Sequence, residues 1–457
     1  MFRRCVYSTL ANVLMLTSCA LKPPAAEAPA HHSRLIARIH PSGFPQSHDT
    51  YNGMGVANDG KIYYVLCSEL PDVGARMYSF DPGAGTIDFL GDLTEASGEK
   101  GMHAISQGKS HVNFVEAGGK LWFATHIGYY SIIDDMEKPG IPPPGMKPYR
   151  GGHILAWDMT SRKFEDHGLG PRGEGIITMN MDPKRMRAYG ITWPTGIFFR
   201  YDVGKNEWKE LGHFFEQGEN GKGPTYRTIC RSLAIDPEDG SVYFTTGDGT
   251  IHRYRYAKDA VESVDGDDLH KDYFGVYDVT SPGHMAYNWR QTFYHPGTRM
   301  IYGVHGNSGY LFRFDPHAER VEVLARITSE PSQRSGMFDQ FSYGYLGFTL
   351  GPDHETIYYL TGGPIYREGK RVKGKTDTGK GEAKGEEDLH LVTYHIPSGK
   401  YMDHGAIYYE NGGHPSYVNS IAVGKDGVVY TVARVPQPDG KVHTELISVS
   451  RCSEIQQ

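Results

Sequence analysis

The sequence predicts an all-β chain folded as a seven-bladed β-propeller of four-stranded antiparallel blades. Three observations predict it: a composition suited to short strands and tight turns, a strand-turn-strand unit that recurs seven times, and the lack of a long apolar run in the mature part. Glycine is 57 of 457 residues and tyrosine 31, a mixture that fits many strands joined by turns better than a helical bundle. At 39% hydrophobic the chain can bury a large core, and no apolar run of about 18 residues marks a spanning helix. The formal net charge of −7 gives no global basic field for nucleic acid, so a grip on a polyanion requires a local basic cleft.

The repeat is a strand ending in a polar or Gly-rich turn, then a strand closing on an aromatic and usually an acid. The copies are 61–67 (KIYYVLC) with 76–81 (RMYSFD), 120–126 (KLWFATH) with 153–158 (HILAWD), and 187–193 (RAYGITW) with 197–202 (IFFRYD). They continue with 242–248 and 251–255, 300–306 and 310–315, 356–362 and 391–395, and 428–434 and 446–450. From Ile62 to Val429 the spacing is about 61 residues per unit, longer than the 40 to 50 of a plain four-stranded blade. Apolar stretches at 112–115, 176–179, 232–235, 347–350 and 420–423 are the expected innermost strands A, the paired segments are strands B and C, and 205–211 and 320–324 are outer strands D. An early strand at 35–39 is expected to clasp the last blade. One blade cannot cover both of its own faces, so the ring must close.

The first residues read as an export signal. Arg3 and Arg4 precede a mostly apolar run at 6–16, and Leu16-Thr17-Ser18-Cys19 then places a cysteine after small residues, an order that resembles a bacterial lipobox. The resemblance implies a lipoprotein signal peptide over 1–18, a lipid anchor on Cys19, a Pro- and Ala-rich tether over 19–34 and the propeller over 35–457, exported to the cell surface or periplasm. Ordinary cleavage near Ala20 is the alternative. With Cys5 and Cys19 set aside, Cys67, Cys230 and Cys452 are too few for a disulfide framework.

Two insertions lengthen B–C loops: 128–152 in the second blade, carrying Pro142-Pro143-Pro144, and 367–387 in the sixth, rich in Lys, Gly and Glu. The first reads as a semi-rigid wall and the second as a solvated loop, both on the face around the channel mouth. The same face takes residues at the start of strand A and the end of strand B. His111 and His126 meet there across the Gly118-Gly119 turn, and His153 is a third histidine at the loop's return. Tyr189 and Arg200 are symmetric about a turn at Pro194-Thr195 and should lie opposite each other. A guanidinium beside a phenol lowers its pKa and suits it to acid-base work, although Tyr302 and Arg313 repeat the spacing in the fifth blade and favour a packing role. Arg227, Arg231, Asn288 and Arg290 flank strand starts and can supply local positive charge. His213, Cys230 and His284 lie near successive D–A junctions and form a candidate structural zinc site, against an inert buried thiol and two surface histidines. Nucleotide, nucleophile-elbow and HExxH signatures are missing from the sequence.

The segment 108–116 (GKSHVNFVE), then LWFATHIGYY ending at Tyr130 and GGHILAWD from Gly151, resembles the second-blade signature of seven-bladed propeller polysaccharide lyases that degrade ulvan. The resemblance implies β-elimination on a uronic acid-containing polysaccharide, with histidines and a tyrosine exchanging protons and an arginine neutralising the carboxylate. Carried over, His111, His126, Tyr189 and Arg200 are the catalytic candidates, with Arg231 in reserve for the arginine's role. Asn113, His153, Trp193 and Arg231 are the substrate-binding candidates. Elimination requires no cofactor; the expected partner is an anionic polysaccharide, with no nucleic acid, and the chain is expected to be a monomer. Two other classes compete: a non-enzymatic glycan- or protein-binding surface propeller, and a metal-dependent lactonase or hydrolase.

Overall fold

The computed structural model describes residues 35–334, 347–364, 366–367, 370–372, 387–416, 418, 420–437 and 440–450. The chain divides into Met1–His32 and Ser33–Gln457. The signal, Cys19 and the tether lie outside the described residues, as do Cys452 and most of the charged run at 367–387.

The fold is an all-β propeller. Five sheets have four strands and one has eight. In the third blade Gly175–Asp182, Arg187–Trp193, Ile197–Asp202 and Glu207–His213 pair antiparallel in chain order. The eight-stranded sheet consists of two such runs. Phe348–Leu350, Thr356–Pro364, Glu387–His395 and Lys400–Tyr409 make one, and Ala422–Val423, Val429–Pro436, Val442–Val449 and Leu35–His40 the other. They join where Leu35–His40 runs parallel to Lys400–Tyr409. Each of the seven sequence repeats thus falls in its own four-stranded run, and the early strand is the outer strand of the last. In the second blade strand A is Val115–Ala117, three residues later than the apolar stretch at 112–115 suggests. The loop at 128–152 carries its own hairpin, Tyr130–Ile133 with Met136–Pro139.

The acid that marks the repeat is a turn cap. Asp81 Oδ1 accepts from the Gly83 and Ala84 amides, Asp158 Oδ1 from Thr160 and Ser161, and Asp315 Oδ1 from His317 and Ala318. A carboxylate two or three residues before a backbone N–H satisfies it locally and fixes the C–D turn. The glycines inside two strands B have an equally local cause. A Cβ on Gly190 would lie 2.4 Å from Phe199 Cζ, and one on Gly303 2.6 Å from Phe312 Cζ; in each pair the phenyl ring lies over the opposite glycine.

The core sits in the seams between blades. One apolar cluster joins the first three blades through Met77, Trp122, Leu155 and Phe199, and another joins the third to the fifth through Ile191, Phe198, Phe244 and Trp289. Tyr302 and Val304 meet Phe348 and Tyr359 between the fifth and sixth. Leu360 and Ile407 meet Ile421 and Ile447 between the sixth and seventh. Tyr430, Val432 and Leu446 meet Ile62, Tyr64 and Phe80 at the seventh-to-first seam, so the blades close on themselves.

That seam depends on residues far apart in sequence. Ser47 Oγ donates to the Thr444 carbonyl and accepts from its amide, and Arg434 grips both oxygens of Asp49 at 3.0 and 3.1 Å. Leu35 is fully buried in the clasp strand, a burial worth about 2 kcal/mol on its own. Deleting the chain through His40 should therefore expose the last blade's edge, lower the melting temperature and cause concentration-dependent aggregation, read by thermal unfolding with light scattering. A deletion mutant that melts like the full chain would show the clasp to be dispensable.

Candidate functional site

Beyond the regular ladder of the second blade, Lys109 and His126 form an isolated antiparallel bridge, with backbone bonds of 2.9 and 2.8 Å in both directions. This bridge extends the A–B hairpin toward the channel and brings the two sequence-predicted histidines together. The His111 and His126 rings are 4.4 Å apart at 70°. They do not share one exposure. His111 lines a cavity of about 330 Å³ with Asn52, Asn113, Thr178, Arg231 and Gln291, all from the innermost segments of the first five blades. His126 stands behind it, 1% exposed, with Trp193 edge-on at 5.5 Å. A Cβ on Gly175 would come within 2.2 Å of His126 Nδ1, so only glycine there leaves the ring room. The expectation that both histidines face the cleft is corrected to one facing and one backing.

The surroundings make both imidazoles neutral. Burial pushes the His111 pKa well below its usual value, and His126, Lys109, Arg231 and Arg290 push it the same way; burial, Lys109 and Arg231 do so for His126. Among the described residues His111 Nε2 and His126 Nδ1 have no hydrogen-bond partner.

Lys109 and Tyr51 form a support that the sequence reading did not single out. The Lys109 side chain is 2% exposed, and its ammonium lies 4.4 Å from the Tyr51 ring centre and 4.7 Å from that of Tyr130. It pairs with Glu69 at 2.8 Å. Burial pulls the Lys109 pKa down, but Glu69 together with Cys67 and Asp49 more than offsets it, so the group stays charged. The opposite relation holds Tyr51 to His111, ring on ring at 4.6 Å and 15°. Only the fold shows this basic residue of GKSHVNF as a buried cation between two aromatic faces.

Of the remaining candidates, Asn113 and Arg231 line the channel cavity. Arg231 is oriented by Glu219 at 2.6 Å and by the Ile229 carbonyl, and Glu219 also receives Trp193 Nε1, so Trp193 belongs to the same wall. His153 does not join them. Its Nδ1 meets Asp166 at 2.9 Å and its Nε2 meets Glu99 at 3.0 Å, so both nitrogens are committed to carboxylates and the substrate-binding assignment is corrected to a structural one.

Tyr189 and Arg200 pair across strands B and C as expected, but not in the cleft. Tyr189 lies four residues before Trp193 on one strand, about 13 Å at the usual rise, and packs on Tyr254. Burial raises its pKa to about 12, outweighing Arg187, where a lowered value was expected. Arg200 holds Asp259 of the next blade at 2.9 and 3.2 Å and Glu207 at 3.2 Å. The Asp259 contact is an inter-blade clamp, whereas Arg313, the counterpart of Arg200 in the fifth blade, pairs with Glu322 on the adjacent strand of its own sheet.

The zinc set does not assemble. Cys230 is fully buried with Sγ 3.2 Å from the Ser232 carbonyl, His213 is exposed on an outer strand, and His284 Nδ1 accepts the Ala286 amide. Among the described residues the one convergent donor group is His48, Asp49 and Glu69, whose carboxylates already hold Arg434 and Lys109.

No protein-family model matches the chain, and no curated protein matches it. Among solved structures it is similar to one titled "Crystal Structure of Mitotic Checkpoint Complex", at 12% identity over 95% of this chain and 98% of that one, with a TM-score of 0.47.

The His153 triad sets a pH limit on stability. Burial alone would strip its proton, but Asp166 and Glu99 more than offset this and raise its pKa to about 9. The folded state therefore binds more protons than the unfolded state between about pH 6.5 and 9. The stabilisation is complete below 6.5 and is lost as pH rises through 9. We expect the melting temperature to fall across that window, by an amount reflecting up to roughly 3 kcal/mol, and the slope to flatten in His153→Gln. Equal slopes in both proteins would assign the titration elsewhere.

Proposed function

We propose that the chain is a polysaccharide lyase that cleaves a uronic acid-containing anionic polymer of the ulvan kind by β-elimination at the channel cavity, with His111 as the proton-transfer group. The observation that carries this reading is the neutral His111–His126 pair lying in the field of Lys109, Arg231 and Arg290. The C5 proton of a uronate is too weakly acidic for an unaided imidazole. A cation must hold the carboxylate while charge spreads into it, and Arg231, which lines the cavity beside His111, takes that role in place of Arg200.

His111 accepts the C5 proton, the C5–H electron pair becomes the C4–C5 double bond, and the C4–O bond breaks. The surroundings that lower the His111 pKa make its protonated form a strong acid, which suits it to return the proton to the leaving oxygen. No nucleophile, water or cofactor enters the balance. Asn52 and Gln291, linked to each other at 2.9 Å, supply amides on the same wall. Within this reading the N-terminal segment exports the chain and anchors it through Cys19, and the propeller works as a monomer.

Three measurements test it. Wild-type protein incubated with a panel of uronic polysaccharides should release unsaturated uronate, seen as new ultraviolet absorbance; binding without that chromophore indicates the glycan-binding reading, and chelator-sensitive hydrolysis without it indicates the metal-dependent one. His111→Ala should lower kcat by about two to four decades, and Arg231→Ala should lower kcat/KM strongly, while Arg200→Ala should lower thermal stability and leave turnover unchanged. Full activity in His111→Ala would remove the site. Because both imidazoles stay neutral well below their usual pKa, kcat/KM should show no acid limb near pH 6.5.

For the N-terminus, mass spectrometry of protein from an exporting host should find a diacylglyceryl-modified Cys19. An unmodified N-terminus at Ala20 or beyond would end the anchor proposal.

A further inference from the structure

A second cavity lies on the blade that carries both histidines. It measures about 620 Å³ and is lined by Met102, Tyr149, Arg150, Leu169, Lys147 and Arg172, with Ala104 and Pro148 completing it. That volume falls within the range of small-ligand sites. Its charge is one-sided. Lys147 and Arg172 are exposed and neither makes an ion pair among the described residues, and Arg150 reaches Glu99 with one nitrogen at 3.1 Å. The carboxylates behind the wall, Glu99 and Asp166, are already engaged by His153. On a chain of net charge −7, three cations around one concavity with Tyr149, Leu169 and Met102 as apolar surface form a local exception.

The rim is also pre-formed. The Lys147 amide donates to the His103 carbonyl at 2.6 Å, and the Lys147 carbonyl accepts the Ile105 amide. The Gly173 amide, next to Arg172, donates to the Arg150 carbonyl at 2.8 Å. The two exposed cations thus stand on segments tied by backbone bonds to neighbouring parts of the same rim, which lowers the ordering cost of binding.

We propose that this cavity is an accessory subsite for an anionic saccharide, its carboxylate or sulfate groups held by Lys147, Arg150 and Arg172 and its apolar ring edge laid on Met102 and Leu169. The inference deepens the lyase reading and rests on it for the choice of a sugar polyanion. Arginine and lysine provide, respectively, a forked and a point-charge contact to such groups.

The test uses a heparin-derived tetrasaccharide, which carries both uronate and sulfate, titrated calorimetrically into the folded propeller in a His111→Ala background so that no cleavage intervenes. We expect K147A/R172A to weaken binding at least tenfold and to flatten its salt dependence, with the melting temperature unchanged because both side chains are exposed. K147E/R172E should abolish the same component. Binding equal to that of the parent in both double variants would overturn the subsite, as would inorganic sulfate competing as well as the tetrasaccharide at equal anion concentration. Loss of binding in the double variants, together with no unsaturated product from wild-type protein on any uronic polymer, would leave the subsite standing and remove the lyase reading. Product formation with unaltered binding would do the reverse.

Discussion

Each blade presents two apolar sheet faces that only its neighbours can cover, and closure of the blades on one another is the constraint on which the rest of the structure depends. The apolar clusters all span seams rather than filling separate blades. Burial is nondirectional, so it cannot by itself choose which edges meet at the last seam. The specific choice comes from directional bonds between the two ends of the chain: Leu35–His40 laddered on Val442–Val449, Ser42 N–H donating to Glu445, and Arg434 on Asp49. The last of these reaches the site, because Asp49 also meets His48 and Tyr51, and Tyr51 supports His111. Closure of the blades and orientation of the histidine are therefore parts of one network.

The site turns on how burial treats unlike groups. A buried ammonium or guanidinium persists only with a partner; Lys109 has Glu69 and Arg231 has Glu219. The two imidazoles have a cheaper alternative, which is to lose their protons. Burial and the paired cations push in the same direction for them, so the arrangement holds fixed positive charge beside uncharged bases. On the lyase proposal, an uncharged base and a fixed cation then face one substrate together.

Much of the fold was legible because strands of period two, glycine turns and the recurrent aspartate are local signals, and the aspartate's role in capping the C–D turn is itself local. The register of Tyr189 on Arg200 was legible for the same reason, since symmetry about a short turn fixes it. Their function was not. Whether a side chain faces the channel or a seam depends on the neighbouring blade, and Asp259, which takes up Arg200, lies 59 residues away. His153 failed as a candidate on the same ground: Glu99 is 54 residues distant. Lys109 carried no signal at all in its sequence context, because its burial is created by Tyr51 and Tyr130 from two separate segments. The zinc grouping inferred from similar positions in successive blades failed because equivalent positions in a ring are related by rotation and need not converge.

The buried amide of Gln107 connects these separate successes and failures. Its oxygen accepts from Thr125, next to His126, and from Tyr149 at the second cavity; its nitrogen donates to Glu99 and to the Gly151 carbonyl. Glu99 is in turn held by the His153 proton and Arg150. All four bonds of this side chain are made inside the protein, so turning it would leave buried polar atoms unpaired, at about 1–3 kcal/mol each. The wall between the channel histidines and the basic cavity is thus cross-linked through one side chain whose hydrogen bonds are all made. The insertion that interrupts the repeat is thus tied to the second blade through the same residues that stand behind the His111–His126 pair, and its position over that blade follows from hydrogen bonding rather than from the stiffness of its prolines alone.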